Sequence, residues 1–480
     1  MTNETRGGFS IDNLIRREAK ILEGTQKNRA GDMTHGSPLK LLIAFALPMM
    51  IGSVFQSLYS TVDSVVVGRF VSAAALGAIG ATASFTTTLM HIASGITGAI
   101  SILLSQFYGA KNDAALKRCT VNAIYLSAVC SLALGLLGAI FARPAMELLG
   151  TPADIIDMSV DYLRIICLYY FTQFFYNTAA SALRALGDSR TPLYFLILCS
   201  ILNVLLDLLF VLKFDWGVAG VAYATIISQA VSAIACIVRM FQKYPVLRFG
   251  LADMKPDFSM IGRTCKLGFP IALQGCVLSL GNLTLTGVIN SFGSDVVAAY
   301  AVGIRVEQLA GILFSQFSFS ASVYAGQNFG ARDFERIRRG INCCFWLVGG
   351  LSLLSCLLVQ LFADPIIGLF INAEEANVIA IARRLIRIES AFYPFLGWIL
   401  MYLNVLKGFG AIPPTMVSAF IELGSKIVFS LILSSLFGST GIWFAAPIGW
   451  ALGTIPVAWH YHSGKWKKLA EKEDLQKVAV

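Results

Sequence analysis

Gln56, Tyr59, Ser60 and Asp63 fall on one stripe if the segment beginning near Leu41 is helical, because positions three, four and seven apart stack on one helical face. The segment is apolar, so Asp63 puts a carboxylate where hydrocarbon is expected. An Asp at the centre of a bilayer-spanning helix costs at least about 2.5 kcal/mol, and chains keep one there for a partner, an ion or a proton. A second stripe holds Asn203 and Asp207, neighbours at a spacing of four, and Thr225 follows in the next apolar segment. Two carboxylates, an amide and a hydroxyl, with no Lys or Arg close in sequence, form an oxygen-rich set suited to a proton or a small hard cation. Na+ is possible at Asp63, Asn203, Asp207 and Thr225. The competing reading makes these groups hydrogen-bonding contacts between helices.

The elements that must position them are membrane spans. Of 480 residues 56% are hydrophobic and 14% charged, and mean hydropathy is +0.71. Soluble domains are only ~45–50% apolar. About twelve windows are long enough to cross a ~30 Å hydrocarbon core as helices. They are expected near 41–67, 75–106, 119–142, 160–183, 192–212 and 217–240, then 262–291, 296–325, 339–362, 384–406, 414–437 and 441–461. The fold class is an all-α polytopic membrane protein.

The spans repeat. Pro48 in Phe-Ala-Leu-Pro-Met matches Pro270 in Leu-Gly-Phe-Pro-Ile, and Gln106-Phe-Tyr-Gly-Ala-Lys111 matches Gln327-Asn-Phe-Gly-Ala-Arg332 at nearly the same offset. Arg184-x-x-Gly187 likewise answers Lys407-x-x-Gly410. Six spans per repeat is an even number, so both halves insert in one orientation, related by an axis along the membrane normal. The expected division is a cytoplasmic arm (1–37), a first lobe carrying the ion site (38–240), a linker (241–261), a second lobe (262–461) and a tail (462–480). Pro48 and Pro270 remove a backbone donor inside long spans and are expected to bend them.

Formal net charge is +9, but its placement matters more. Lys111, Lys117 and Arg118 follow the second span, Arg184 and Arg190 the fourth, and Arg332, Arg336, Arg338 and Arg339 the eighth, whereas Asp154, Asp157 and Asp161 lie on the opposite side. The positive-inside rule then puts both termini in the cytoplasm. Charges that flank spans do not form a nucleic-acid patch. The ten cysteines show no metal or redox spacing, and no nucleophile, base and metal set converges as an enzyme would require. The arm has no cleavable-signal core; Phe9, Ile11, Leu14, Ile15 and Ile21-Leu22 could form a surface amphipathic helix, and a disordered tail is the equal alternative. The second repeat lacks the acids: Leu285 stands opposite Asp63. It carries Glu307, Glu389 near an expected span end, and Glu422 with Lys426, a self-neutralising pair. Tyr59, Tyr176, Phe314 and Phe317 are candidates to line a cavity for flat organic molecules, with lipid-facing packing the commoner role of such aromatics.

The Gln56-x-x-Tyr59-x-x-x-Asp63-x-x-x-x-Gly68-Arg69 stretch, the Asn203/Asp207 pair, Gly217-Val-Ala-Gly-Val-Ala-Tyr-Ala-Thr225 and the two six-span halves resemble the multidrug and toxic compound extrusion (MATE) transporters, over nearly the whole chain from Pro38 to about His460. Among them it looks most similar to the DinF-type branch and its MepA-like bacterial members. The resemblance implies the MATE fold and an antiporter of the bacterial inner (plasma) membrane that expels cationic amphipathic compounds in exchange for H+ or Na+. It implies no cofactor beyond that coupling ion, small organic cations and the lipid bilayer as partners, and a monomer. Asp63 matches the family's first-helix aspartate, Gln56 its polar neighbour, Asn203 and Asp207 the fifth-helix pair and Thr225 the sixth-helix hydroxyl; Thr61 stands where many relatives carry Asn. Two alternatives are a lipid-linked saccharide flippase, which would want a basic cavity for pyrophosphate, and a membrane-embedded transferase.

Overall fold

The structure, a computed structural model, describes residues 31–250, 253–372 and 374–472; the stretch from Phe9 to Leu22, with its two alternative readings, lies outside them. Those residues form helices and turns, with no strand among them. The first half comprises α1 (Pro38–Val66), α2 (Ala73–Gly109), α3 (Asp113–Ile140), the short α4 (Ala142–Leu148), α5 (Ile156–Leu168), α6 (Tyr170–Ala185), α7 (Arg190–Leu208) and α8 (Gly217–Lys243). The second comprises α9 (Phe258–Asn290), α10 (Ser294–Gly330), α11 (Phe334–Gly368), α12 (Ala376–Ala391), α13 (Tyr393–Gly408), α14 (Ile412–Phe437), the short α15 (Ser439–Ile442) and α16 (Ala445–His462), followed by α17 (Lys467–Lys472).

Among the described residues ten helical segments are long and apolar enough to cross a membrane alone. The fourth crossing of each half is instead split. Tyr169 (φ −103°, ψ 17°) separates α5 from α6, and Phe392 (φ −102°, ψ 5°) separates α12 from α13. Both residues sit in the sparsely allowed bridge region, which kinks a helix without reversing it. In the second half Pro394 explains the break, since it has no N–H to offer the carbonyl of Ser390. Large apolar side chains such as Leu132, Ile234, Leu283 and Leu361 are exposed on the outer surface, as helices facing acyl chains require.

The halves meet along α2, which packs on α9 and α10, and along α1, which packs on α10. One end of this seam is closed by a paired latch. Gln106 Nε2 donates to the Gly408 carbonyl across the seam at 2.9 Å, and its repeat counterpart Gln327 Nε2 donates to the Ala185 carbonyl at 2.9 Å. The backbones touch here: a Cβ on Gly109 would stand 1.8 Å from the Gln327 carbonyl oxygen, and one on Gly330 would stand 1.9 Å from that of Gln106. Only glycine permits such an approach. Met33 completes the closure: its N–H donates to Gln327 Oε1 at 2.8 Å, and its carbonyl accepts from Asn328 and Arg336. Beyond the expected second-lobe boundary Trp466 is buried and stacks on Phe409 at 4.3 Å, so part of the tail is docked on this end.

Candidate functional site

α1 and α7 each end in a turn carrying one of the two acids, and the helices bring the Asp63 and Asp207 carboxyl groups within hydrogen-bonding reach of each other. Immediately beyond, both helices widen into π-helical turns, Val67–Val71 and Leu209–Lys213. The Ser72 N–H donates five residues back to the Val67 carbonyl, and Phe214 to Leu209. Neither α9 nor α14, their repeat counterparts, ends in such a turn. Single π turns recur at functional sites because they displace the helix face locally.

Asn203, one turn before Asp207 and fully buried, bridges the site to α8. In the orientation that satisfies both ends of its amide, the nitrogen donates to Asp207 Oδ2 at 3.1 Å and the oxygen accepts from the Thr225 N–H at 3.3 Å. Tyr59 places its hydroxyl against Thr225 and beside Asp63. Tyr162 of α5 lies within electrostatic range of both carboxyls. Asp63 Oδ1 and Asp207 Oδ1 are each buried without a protein partner. An apolar cluster of Val67, Ala75, Val211, Val218 and Val221, with Tyr162 packed against it, borders the site. Two carboxyls this close in a low-dielectric setting cannot both stay charged unless a proton or a cation is shared between them. The donor set is all oxygen apart from the Asn203 amide nitrogen, which suits a proton or Na+.

The structure thus brings Asp63, Asn203, Asp207 and Thr225 together, with Tyr59 beside them. Gln56 is elsewhere: it faces a cleft of about 380 Å³ between the two halves, seven residues before Asp63. At 1.5 Å per residue the two are about 10 Å apart along α1. The first half lines this cleft with Pro48, Ser53, Gln56, Tyr176 and Arg184, the second with Ser315, Gln316, Phe319 and Asn404.

Phe314 and Phe317, expected in such a cavity, are not in it. Both are buried in the second half, Phe314 against the Tyr393 ring at 5.9 Å. α10 turns Ser315, Gln316 and Phe319 to the cleft, so residues 314 and 317 face the other way, a phase that aromatic content alone does not reveal. Tyr176 does line it, its hydroxyl donating to the Pro192 carbonyl at 3.3 Å. Pro48 also lines the cleft, whereas Pro270 borders a separate crevice between α9 and α14 with Arg263, Lys266 and Met416.

Two further expectations need correction. Arg184, read as a connector charge, lies inside α6 with its Nε buried. Glu389 is not at a membrane surface but 4% exposed, next to the α12–α13 break. Tyr162 was absent from the sequence-based set, and nothing in its local sequence marks it.

A second polar cluster occupies the other half. Lys426 Nζ meets Glu422 Oε1 at 2.8 Å, both side chains buried, and donates to Asn282 Oδ1 of α9, an exposed residue, at 3.2 Å. Glu307 and Glu389 lie within electrostatic range of Lys426.

The MatE family model matches residues 48–209 and again 270–432, once per repeat. The probable multidrug resistance protein YpnP of Bacillus subtilis is 28% identical, over 92% of this chain and 98% of the relative. The probable multidrug resistance protein NorM of Thermotoga maritima is 25% identical, over 90% of this chain and 94% of the relative. A solved multidrug resistance MATE family transporter in its outward-facing conformation superposes with a TM-score of 0.85 at 20% identity, over 93% of this chain and 99% of that one. With the model matched in both halves and such relatives aligned nearly end to end, this chain belongs to the MatE family, the MATE multidrug efflux transporters.

Proposed function

We propose that the chain is a secondary antiporter that exports amphipathic organic compounds through the inter-half cleft in exchange for H+ or Na+ bound at Asp63 and Asp207. One observation carries this reading: the two acids face each other at the end of α1, the helix that also walls the cleft through Pro48 and Gln56. Filling the acid pair changes the charge at one end of α1, and any resulting shift of the helix alters the cleft at its other end. Binding linkage is reciprocal, so a compound bound in the cleft then favours release of the ion. Residues 38–240 and 262–461 act as the moving lobes. The latch end, with the arm and the basic connectors, faces the cytoplasm of a bacterial inner membrane, so the closed latch corresponds to an outward-facing state, reached by a single chain.

The test is dye efflux in proteoliposomes with Na+ and pH gradients imposed separately. One gradient should drive efflux, and Asp63→Asn should abolish that stimulation while the variant stays folded in the membrane. Undiminished coupling in Asp63→Asn, or stimulation by neither gradient, refutes the antiport. The flippase alternative would need several cations around a diphosphate; the residues lining the cleft include one, Arg184.

A further inference from the structure

From the cleft's charge we infer that its preferred occupants carry an acidic oxygen group, carboxylate or an equivalent anion, which Arg184 holds at the latch end; zwitterionic and acidic amphiphiles are favoured over simple cations. The inference rests on the efflux reading and narrows its substrate class, which the family resemblance alone places among cations.

Arg184 is the single charged residue among those lining the cleft; no Asp or Glu is among them. It sits on the last turn of α6, next to Ala185, whose carbonyl accepts the latch bond from Gln327. Its guanidinium lies over the Phe319 ring of the opposite half, 5.7 Å from the centroid. Of the five N–H donors a guanidinium offers, one has a partner among the described residues: Nη2 donates to Ser181 Oγ at 3.2 Å. Nε is buried without a protein partner. Among the described residues no carboxylate lies within ion-pair distance of Arg184.

The repeat places a second cation at the matching position. Lys407 follows the cleft residue Asn404 by three positions on α13, and it too has no carboxylate partner among the described residues. The buried Lys426, by contrast, has Glu422 as its counter-charge, and even the more exposed Lys243 is paired, with Asp188.

An unneutralised guanidinium in a half-enclosed site is costly unless an anion completes it, and its planar fork matches a carboxylate bidentately. Around it the cleft supplies neutral donors and acceptors, Ser53, Gln316 and Asn404, with the Tyr176 and Phe319 rings for a flat body. A cation has no counter-charge there. Asp63 and Asp207, the acids on α1 and α7, are outside its lining and face each other.

The probes are a cationic rhodamine methyl ester and the same rhodamine with its carboxyl free. Their equilibrium binding to the purified full chain in one detergent is read by fluorescence anisotropy. The free acid should bind about tenfold more tightly than the ester, the worth of one charge-assisted hydrogen bond. Arg184→Gln should erase that margin by weakening the acid while ester affinity holds. Arg184→Lys, which keeps the charge but not the fork, should narrow it to about threefold, and is the readout if the Gln variant does not fold. An ester that binds as tightly as the acid, or a margin that survives Arg184→Gln, overturns the inference and leaves ion-coupled efflux standing. Binding of neither dye to the wild-type chain overturns the cleft as the export site, and this inference with it.

Discussion

At the residue scale the acid pair and the Glu422–Lys426 pair pose opposite electrostatic problems. Asp63 and Asp207 are two like groups that need something positive between them; Glu422 and Lys426 supply each other's counter-charge. Lys426→Met should therefore be severe, because it strands a buried carboxylate: about 3–5 kcal/mol of destabilisation is expected, read as a lowered unfolding temperature in detergent. Adding Glu422→Gln should recover much of that loss, and a double variant no better than the single would contradict the pairing. Tyr162→Phe keeps the ring but removes the hydroxyl within electrostatic range of both acids. It should shift the pH dependence of efflux while leaving dye affinity in the cleft unchanged, and an unmoved profile would take Tyr162 out of the site. The stripes at residues 56–63 and 203–207 were legible because helical spacing exposes a polar face on an apolar segment. Tyr162 and Arg184 were not: a lone Tyr among apolar residues is unremarkable, and an Arg near a span end reads as a loop charge until its cleft is seen.

At the element scale helix ends carry the function. The π turns that follow Asp63 and Asp207 are made by backbone bonds to carbonyls five residues back, and no residue type in Val67–Val71 or Leu209–Lys213 requires them. The turn joining α6 to α7 is better determined. Asp188 accepts from the Thr191 N–H and hydroxyl and from Lys243 Nζ at 2.7 Å, tying α7 to α8. Burial pushes the Asp188 carboxyl up, but the Lys243 ammonium and the two Thr191 bonds outweigh it and hold the group below the usual aspartate range. A depressed folded-state value stabilises the fold above the unfolded value near ~4, and that contribution is lost as pH falls below it. Asp188→Ala should thus cost about 1–3 kcal/mol at neutral pH and progressively less as pH drops below about 4. Thermal unfolding of both proteins across that range checks it; a pH-independent difference would mean that the charge is not what matters.

At the scale of the whole molecule the latch sets which side of the seam is closed. Gly109 and Gly330 let α2 and α10 touch backbone to backbone, and the two glutamines lace the halves together just beside them. Gly330→Ala inserts a methyl where 1.9 Å is available against a carbonyl oxygen, which cannot yield as a flexible side chain would. Spin labels at Ala114 and Glu335 should report longer separations in that variant, and an unchanged distance distribution would show that the latch does not hold the closed end. By itself the sequence determined the α-helical membrane class, the duplication and four of the residues that converge on the acid pair, since hydropathy, internal identity and helical periodicity are all written along the chain. The Gln-Phe-Tyr-Gly-Ala motif was visible as a repeat but not as a latch. Its glutamine bonds reach across 302 and 142 positions, and only the packing of one half on the other brings donor and carbonyl together. The same holds for the charge of the cleft: Arg184 becomes the one cation lining it only when α1, α6, α7, α10 and α13 are assembled around it, because a cavity between domains belongs to no segment that contributes to it.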